Sequence, residues 1–442
     1  MQYKQLTDLV NSVRIERVLD HINQLAQVGK TERGGITRLA FSEEDRQARG
    51  LVIEWMREAG LSVRISPIGN IIGKMHGDRS DMPVIMTGSH IDTVVTAGKF
   101  DGTLGVIAAI EIAQIIKDNN ISLPCSIEVV CFVMEESSRF KIGYAFGSKV
   151  WAGQLITDEL LLTRDRDGKT LVDAIYEMRT RELGSKENLQ SQDDIMEAVK
   201  DYIVSSHHSS KDVRAFVELH IEQGPILYSA KEPIGVVTAI AAPTRFTVTF
   251  LGEQNHSGTT PMRFRKDALA ASAEAILAIE RLCRSSNDVV GTVGVIEVNP
   301  NTINIIPGRT QITIDIRSAS STAKSEMFTS ICQEIKQIAD NREVTFEIHM
   351  LTDDTPQPIS EEMVSLIERN CLKLGIRSRR LVSGAGHDAA QVARIVGNTG
   401  MIFVPSRDGI SHDPREWTDG PDIERGTQVL LLTLLDLAQT AE

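Results

Sequence analysis

The chain has 442 residues, a formal net charge of -13 and 41% hydrophobic residues. The chain is longer than one ordinary hydrophobic core supports, so two domains are expected. The composition is not depleted in apolar residues as disordered chains are, so the protein is expected to fold. Acidic residues are scattered and no run of Lys or Arg occurs, which argues against nucleic acid or an anionic membrane surface as a partner.

The cysteines and the amino terminus indicate the compartment. Five cysteines are odd in number and widely spaced, which is typical of reduced thiols rather than a disulfide framework. The first 22 residues lack the apolar core of a signal peptide, and the most apolar helical stretch, 104–116, is too short to span a bilayer. We therefore expect a cytoplasmic protein without a membrane segment.

Strand-like apolar runs alternate with helix-like segments from about residue 50 to 225, which is typical of a sheet flanked by helices. Four runs end directly before polar or acidic residues, at 83–88, 126–134, 215–219 and 401–405. Because ligands of open α/β sheets lie beyond the carboxyl ends of the strands, we expect these polar clusters to share one edge of the sheet. The charged stretch from about 155 to 212 is expected to be a solvated helical excursion with loops.

The pattern changes between residues 229 and 350 to strand, helix, two strands, helix and strand, which is the order of a split β-α-β-β-α-β module. The predicted elements are 246–251, 265–284, 292–298, 310–317, 323–340 and 344–350. We therefore expect an α/β fold with a mixed, helix-flanked sheet in a larger domain formed by residues 1–228 and 351–442. A ferredoxin-like α+β domain at 229–350 would be inserted as a lid and dimerisation domain. Since unpaired strand edges seek partners, a homodimer through this domain is expected.

The first polar cluster follows the predicted strand at 83–88. His90 stands near the end of this strand, and Asp101 stands just before a helix that begins near Thr103. An imidazole and a carboxylate in these places can face one metal position, and Asp92 can orient the His90 ring from behind. A surface turn is the alternative interpretation, because isolated His and Asp residues are common near strand ends.

The second polar cluster is the pair Glu135 and Glu136, directly after the predicted strand at 126–134. Adjacent carboxylates point in different directions, so one can bind a metal while the other accepts a proton from water. A solvated acidic turn is the alternative interpretation of a lone pair of this kind.

Two further histidines follow predicted strands. His220 closes the run at 215–219, and His412 comes shortly after the run at 401–405. Alone, a histidine in either place is more often structural than a ligand. Together with the first two clusters, however, these residues supply the nitrogen and oxygen ligands that paired divalent ions need.

Seven motifs then occur in the order of one known family. They are GSHIDT with a downstream FDG, EESSRF, ELHIEQGP, NHSGTTPM, NTINIIPG, SGAGHDA and GISHDP. They closely resemble the hydantoinase/carbamoylase branch of the M20 metallopeptidase-like family, over about residues 30 to 435. That branch includes N-carbamoyl-L-amino acid amidohydrolases, allantoate amidohydrolases and bacterial-type β-ureidopropionases.

The resemblance implies that the domain of residues 1–228 and 351–442 is catalytic and that it holds two divalent metal ions in each subunit. His90, Asp101 and His220 would hold one ion, and Asp101 would bridge to a second ion held by Glu136 and His412. The ligand set suits zinc first, and also manganese, cobalt or nickel.

The resemblance also implies which residues act on a small carboxylate substrate. Glu135 would be the general base and later the general acid. His256 would reach in from the partner subunit to stabilise the oxyanion, a role that suits an imidazole N–H donor. The substrate carboxylate would be bound by Asn304, by Arg317 and by backbone groups at Gly386, since an Arg fork matches a carboxylate bidentately.

Hydrolysis of an N-carbamoyl-L-amino acid to the amino acid, carbon dioxide and ammonia is the activity that the resemblance favours. Allantoate hydrolysis is the main alternative, since GSHIDTVV and MIFVPSRDGISH lean that way. Lesser alternatives are β-ureidopropionase activity, dipeptidase or aminopeptidase activity, and an inactive scaffold. The chain departs from several relatives at Ser137 and Ser138, and from allantoate-specific members at 242–245, which leaves the substrate open.

Overall fold

The computed structural model describes residues 9–32, 34–182, 184, 189, 191–209 and 211–439. Within these residues the chain divides into two compact units. The first unit contains the residues up to Thr238, Ile359–Leu381 and the residues from Gly386, and the second contains Ala239–Pro358 and Val382–Ala385. The domain boundaries expected after residues 228 and 350 stay a prediction.

Helices and strands alternate along the described residues. The helices are α1 (Ile15–Leu25), α2 (Glu43–Glu58), α3 (Thr103–Asp118), α4 (Phe146–Trp151), α5 (Asp158–Leu161), α6 (Leu171–Glu182), α7 (Gln192–Ser205), α8 (Ile226–Ala230), α9 (Ala268–Arg284), α10 (Ser321–Arg342), α11 (Glu361–Lys373), α12 (Asp388–Val392) and α13 (Gly420–Gln439). The strands are β1 (Ser62–Ile65), β2 (Ile71–Met75), β3 (Val84–His90), β4 (Ile127–Phe132), β5 (Val213–Ile221), β6 (Ile234–Ile240), β7 (Ala242–Leu251), β8 (Asn255–His256), β9 (Val289–Asn299), β10 (Ile305–Ile306), β11 (Arg309–Ser318), β12 (Thr345–Asp353), β13 (Gln357–Pro358), β14 (Ser378–Ser383) and β15 (Thr399–Val404). Short 3-10 helices occupy Met262–Phe264 and Arg407–Gly409.

The first unit is built on a mixed sheet. In the described part of this unit the strand order is β1-β2-β4-β3-β5-β15-β6, and β14 also pairs with β6. Strands β3, β4, β5 and β15 run parallel to one another, whereas β1, β2 and β6 pair antiparallel with their neighbours. The expected mixed, helix-flanked α/β fold is confirmed, and the carboxyl ends of the four parallel strands meet at one edge.

The end of strand β3 and the start of helix α3 lie close together at this edge. All seven residues of β3 are buried, and most residues of α3 are buried as well. The residue before α3 is Gly102, with a φ of 63°. A Cβ atom on Gly102 would lie 2.3 Å from Nε2 of His90, so only glycine lets the helix begin beside the end of the strand.

The charged segment at 155–212 is solvated on one side only. Helices α6 and α7 bury apolar residues in one cluster with residues that flank β4, and the cluster includes Val133, Phe140, Leu171, Ile175, Val199 and Ile203. The sequence suggests a solvated excursion because these apolar residues are dispersed among many charges. Residues 183, 185–188, 190 and 210 of the segment lie outside the described residues.

The second unit contains an antiparallel sheet of order β12-β7-β11-β9, with the short pair β8 and β10 beside it. Its elements follow the chain order β7, α9, β9, β11, α10 and β12, which is the expected ferredoxin-like β-α-β-β-α-β module. Ile312, Ile314 and Ile316 of β11 lie in the core with residues of α9 and α10. The side chains that alternate with these isoleucines therefore occupy the other face of the sheet.

Helix α9 begins later than the sequence suggests, at Ala268 rather than at Arg265. The side chain of Asp267 accepts hydrogen bonds from the second and third backbone N–H groups of the helix, at 2.9 and 3.0 Å, and so sets its start. Arg265 instead donates to the carbonyl oxygens of Ser257 and Thr260 in the preceding loop. No helix in the described part of the chain is both long and apolar enough to cross a membrane.

Candidate metal centre

Polar side chains gather at the carboxyl edge of the sheet in the first unit. His90 is the last residue of β3, and His220 is the last but one of β5. Glu136 follows β4, Asp101 precedes α3, and His412 follows β15. Because the parallel strands end at the same edge, these residues meet although they are far apart in sequence.

Asp101 lies at the centre of this group. Its Oδ1 atom lies 3.2 Å from Nε2 of His220 and 3.7 Å from Nε2 of His90. Its Oδ2 atom lies 3.2 Å from Nε2 of His412, and this nitrogen lies 3.3 Å from Oε1 of Glu136. The two carboxylate oxygens of Asp101 therefore face two different sets of donors, and in each set three ligand atoms lie within 4.8 Å of one another.

Backbone carbonyl groups orient the two buried histidines. Nδ1 of His90 lies 3.1 Å from the carbonyl oxygen of Asp92, and Nδ1 of His220 lies 2.9 Å from that of Ile221. A carbonyl oxygen can only accept, so each Nδ1 carries a hydrogen, and Nε2, which faces Asp101, is the nitrogen left to bind a metal ion. Histidines that bind metals in proteins are usually oriented in this way.

Asp92 also organises the turn after β4. Its carboxylate oxygens accept the backbone N–H groups of Glu135 at 3.0 Å and of Glu136 at 3.1 Å. The sequence suggests that Asp92 orients the His90 ring. In the structure Asp92 does so through its backbone carbonyl group, and its carboxylate lies 3.6 Å from Nδ1 of the same ring. One residue thus sets the direction of both the histidine and the glutamate pair.

Glu135 is buried, and its Oε1 atom has no hydrogen-bond partner among the described residues. Its Oε2 atom lies 3.8 Å from Nε2 of His90. Burial raises the pKa of Glu135 well above its usual value, and the negative charge of Glu136 adds to this rise although His90 opposes it. Glu135 belongs to neither set of donors around Asp101.

The chemistry of this cluster fits divalent cations. Three carboxylates, from Asp101, Glu135 and Glu136, lie among three imidazole rings. Hydrogen bonds to Asp101 and Glu136 raise the pKa of His412 to about 11, which shows how strongly these surroundings stabilise positive charge. Imidazole nitrogens combined with carboxylate oxygens are ligands that zinc and its first-row neighbours accept.

Three side chains that sequence reasoning missed hold Asp101 in place. The carboxylate of Glu416 accepts the backbone N–H of Asp101 at 3.2 Å. Nε2 of Gln223 donates to Oδ2 of Asp101 at 2.8 Å, and Oγ of Ser411 lies 3.0 Å from the same oxygen. Gln223 and Ser411 stand inside the motifs ELHIEQGP and GISHDP, and this closeness to the histidines is the signal that could have found them.

A third set of ligand-type atoms comes from Glu218, His220 and His387. Both oxygens of Glu218 already accept hydrogen bonds, one from Oγ of Ser89 at 2.6 Å and one from the backbone N–H of Ala389 at 2.8 Å. The His387 ring packs edge-on against the His220 ring, with 4.5 Å between centroids, and burial lowers the pKa of His387 well below its usual value. This set therefore supports His220 rather than offering another metal position.

Within the second unit, the pairing of β8 with β10 brings His256 and Asn304 together. His256 pairs with Ile305, and the backbone N–H of Ser257 donates to the carbonyl oxygen of Asn304 at 3.0 Å. Nδ1 of His256 accepts the backbone N–H of Gly258 at 3.0 Å. Nε2 of this exposed ring therefore carries a hydrogen that it can donate.

The remaining residues expected to bind a carboxylate lie in different units. Arg317 lies on the polar face of β11, where it donates to both carboxylate oxygens of Asp315 at 3.1 Å. Gly386 lies in the first unit, and a Cβ atom there would lie 2.5 Å from the ring of Tyr144. Only glycine lets the backbone approach this ring so closely.

A helix-flanked mixed sheet that carries three histidines and three carboxylates at its carboxyl edge has the ligand set and the placement expected of a metal-dependent hydrolase. Residues 86–436 match the model of Peptidase family M20/M25/M40. The chain belongs to this family.

Relatives with known names share nearly the whole chain. The chain is 40% identical to the N-carbamoyl-L-amino-acid amidohydrolase of Pseudomonas sp. (strain NS671), over 95% of this chain and 97% of that protein. It is 35% identical to the allantoate amidohydrolase of Escherichia coli (strain K12), over 94% of this chain and 96% of that protein. The crystal structure of an amidase of the hydantoinase/carbamoylase family from Burkholderia multivorans matches with a TM-score of 0.84 and 32% identity, covering 96% of this chain and 98% of that chain. The resemblance to the hydantoinase/carbamoylase branch is confirmed.

Proposed function

We propose that this chain hydrolyses the carbamoyl C–N bond of an N-carbamoyl-L-amino acid and that two divalent cations bind at the carboxyl edge of the sheet in its first unit. The observation that carries the proposal is the carboxylate of Asp101, whose two oxygens face separate sets of donors while the buried Glu135 belongs to neither set. A pair of cations with one further carboxylate is what a hydrolase needs to activate water.

The two sets of donors would each hold one cation. His90, Asp101 and His220 would bind the first, and Asp101, Glu136 and His412 would bind the second. Zinc is the first choice of metal, and manganese, cobalt and nickel accept the same nitrogen and oxygen donors. When bound, such cations polarise the substrate carbonyl and lower the pKa of water toward neutrality.

Glu135 would accept a proton from the attacking water and later deliver it to the leaving nitrogen. Burial raises the pKa of Glu135 well above its usual range, and a carboxyl group with a raised pKa can serve as both base and acid near neutral pH. Asp92 accepts the backbone N–H groups of Glu135 and Glu136, and this keeps the two neighbouring carboxylates in separate directions. One of them can therefore move a proton while the other binds metal.

His256 would donate a hydrogen bond to the carbonyl oxygen on which negative charge develops. Its Nδ1 accepts backbone N–H groups from Gly258 at 3.0 Å and Thr259 at 3.3 Å, so the hydrogen is kept on Nε2. A fixed N–H donor of this kind is worth about 3 kcal/mol in the transition state. We infer that His256 serves the substrate bound by the other subunit of a homodimer.

Arg317, Asn304 and backbone groups at Gly386 would bind the carboxylate of the substrate. A guanidinium group matches a carboxylate in shape and charge, which supports Arg317 as the principal anchor. The products of the reaction would be the free amino acid, carbon dioxide and ammonia.

Strand β9 supports the proposed homodimer. It is an edge strand of the four-stranded sheet in the second unit. Three of its apolar side chains are well exposed, Val290 at 64%, Val295 at 49% and Ile296 at 46%. A second copy of the chain would cover them, so light scattering after size exclusion should give twice the monomer mass. A monomer at every protein concentration would contradict this part of the proposal.

A cytoplasmic location is also proposed. All five cysteines lie in the described residues and are free thiols. A reducing compartment keeps thiols in this state.

A substrate panel tests the proposed activity. We would measure ammonia release by the metal-loaded enzyme from N-carbamoyl-L-amino acids, their D enantiomers, allantoate and β-ureidopropionate, and cleavage of dipeptides in parallel. The highest kcat/KM should belong to an N-carbamoyl-L-amino acid, and activity should vanish with a chelator and return with zinc or manganese. A preference for dipeptides would overturn the proposal, and a protein that binds no metal and stays inert would favour the scaffold.

Allantoate is the second candidate substrate. A relative with 35% identity is an allantoate amidohydrolase, whereas the relative with 40% identity acts on N-carbamoyl-L-amino acids by its name. Both substrate types carry a ureido carbon and a carboxylate, so the same residues would serve either reaction. A higher kcat/KM for allantoate in the panel would replace the first candidate with the second.

A further inference from the structure

In the second unit, Arg317 lies beside an aspartate, Asp315, which also binds a second arginine, Arg245. Arg245 and Asp315 are opposite partners in the pairing of β7 with β11, and Arg317 lies two residues further along the same face of β11. Nε of Arg245 donates to Oδ2 of Asp315 at 2.9 Å. Nε and Nη2 of Arg317 donate to Oδ1 and Oδ2 of Asp315, each at 3.1 Å. Two guanidinium groups therefore share one carboxylate.

These contacts leave part of the Arg317 guanidinium group available. Nε and Nη2 bind Asp315, and Nη1 donates to the carbonyl oxygen of Gly384 at 3.2 Å. A guanidinium group has five N–H donors, so one hydrogen on each terminal nitrogen is not used by these contacts. Two N–H groups on neighbouring nitrogens match the two oxygens of a carboxylate. The contacts thus hold the plane of the group and leave donors for a ligand.

The charge of the cluster suits a single anion. Burial by itself raises the pKa of Asp315, but hydrogen bonds from Arg317 and Arg245 lower it by more than burial raises it. The pKa of Asp315 therefore lies below its usual value, and the carboxylate is ionised at neutral pH. Two guanidinium groups and one carboxylate leave one positive charge. The side chains of Arg245, Asp315 and Arg317 are 36%, 27% and 32% exposed, so a ligand can approach this charge.

We propose that Asp315 and Arg245 are positioning residues, which set the orientation and the net charge of Arg317 for one carboxylate of the substrate. This inference rests on the proposed role of Arg317 as the carboxylate anchor. Asp315 holds the guanidinium plane of Arg317. Arg245 cancels the charge of Asp315, so that Arg317 keeps its attraction for the substrate.

The test separates KM from kcat in the metal-loaded enzyme. The substrate is N-carbamoyl-L-alanine or allantoate, whichever the panel identifies, and its carboxamide analogue lacks the negative charge. Asp315→Asn should raise KM for the carboxylate substrate about ten-fold and change kcat less than about two-fold, because the charge-assisted hydrogen bonds that hold Arg317 are lost. If only the net charge mattered, Asp315→Asn should instead lower KM, since this substitution makes the cluster more positive. A KM at or below that of the wild type would overturn the inference.

Two further variants separate orientation from charge. Arg245→Gln should also raise KM for the carboxylate substrate, because Asp315 would then neutralise Arg317. The double variant of Arg245→Gln with Asp315→Asn has the wild-type net charge, yet its KM should stay as high as that of Asp315→Asn. KM for the carboxamide should change less than about two-fold in all three variants. A double variant with a normal KM for the carboxylate substrate would show that Asp315 does not orient Arg317.

Arg317→Gln distinguishes failure of this inference from failure of the proposed function. An unchanged KM in Arg317→Gln contradicts the carboxylate anchor itself. A raised KM in Arg317→Gln with a normal KM in Asp315→Asn overturns only the positioning role. Circular dichroism and thermal unfolding check each variant. If Asp315→Asn fails to fold because Arg245 and Arg317 repel each other, the double variant provides the test without that repulsion.

Discussion

Nε of Arg38 donates a hydrogen bond to the carbonyl oxygen of Ile91 at 2.7 Å. Arg38 is 1% exposed, and its Nη1 atom donates to the carbonyl oxygens of Leu25 at 3.0 Å and Val28 at 3.2 Å. Ile91 is the residue directly after β3, next to a histidine of the candidate metal centre. A buried guanidinium group therefore ties the end of α1 to the loop that shapes this centre.

Replacing Arg38 with Met should lower the free energy of unfolding by about 3 kcal/mol or more, because hydrogen bonds from one buried guanidinium group to three carbonyl groups are lost. Urea unfolding at pH 7 measures the change. Arg57→Met is the matched control, since Arg57 is exposed and its loss should change stability by about 0.5 kcal/mol or less. Similar stabilities for the two variants would show that Arg38 does not brace this loop.

Glu135→Gln should keep its metal content but lower kcat by about 10²- to 10⁴-fold, because Glu135 lies outside both sets of donors and would act on the proton. Elemental analysis after purification and steady-state kinetics measure the two effects. Glu136→Gln is the control, and it should lose metal because Glu136 belongs to the second set. Near-normal turnover in Glu135→Gln would remove this residue from the role of base.

Mixing two inactive variants, His256→Ala and Glu135→Gln, should restore about a quarter of the wild-type activity. Random exchange makes half of the dimers mixed, and in a mixed dimer one of the two sites has both an intact glutamate and an intact histidine. Native mass spectrometry verifies the exchange. No recovery after verified exchange would mean that His256 does not act across the dimer.

The cluster of Arg245, Asp315 and Arg317 also predicts that the free energy of unfolding depends on pH. The pKa of Asp315 is lower in the folded chain than its ordinary value of 3.8, so its contribution is present above pH 3.8 and is lost as the pH falls through the folded-state pKa. Wild type should be more stable than Asp315→Asn at pH 7 by on the order of 1 kcal/mol or less, since the pair is partly exposed. Urea unfolding at about pH 3 should give a smaller difference than at pH 7. An equal difference at both pH values would contradict the shift.

Much of the candidate site follows from local patterns in the sequence. Apolar runs that stop before His90, Glu135 and His220 predict strand ends, and parallel pairing brings these ends together. The alternation of Ile312, Ile314 and Ile316 with polar residues likewise predicts the polar face on which Arg317 lies, because side chains alternate along a strand.

For other parts of the site, the contacts could not be predicted, because no local pattern encodes which remote group a side chain reaches. Glu416 lies four residues after His412, but it accepts the backbone N–H of Phe100 from 316 positions away, and no local pattern shows that it reaches this loop. The contacts of Gln223 with Asp101 likewise depend on how β5 and the start of α3 are arranged in space. The buried side of the segment at 155–212 was hidden for a similar reason, since charges dominate its composition.

The sequence by itself determined the kinds of element, the order in which they occur and the types of donor at their ends, because hydrophobic periodicity and turn chemistry act between near neighbours. Only the tertiary structure decided that the two oxygens of Asp101 face different donors and that Arg245 and Arg317 share Asp315. Those relationships depend on strand register and on atomic distances between remote segments, and such distances exist only once the chain has packed.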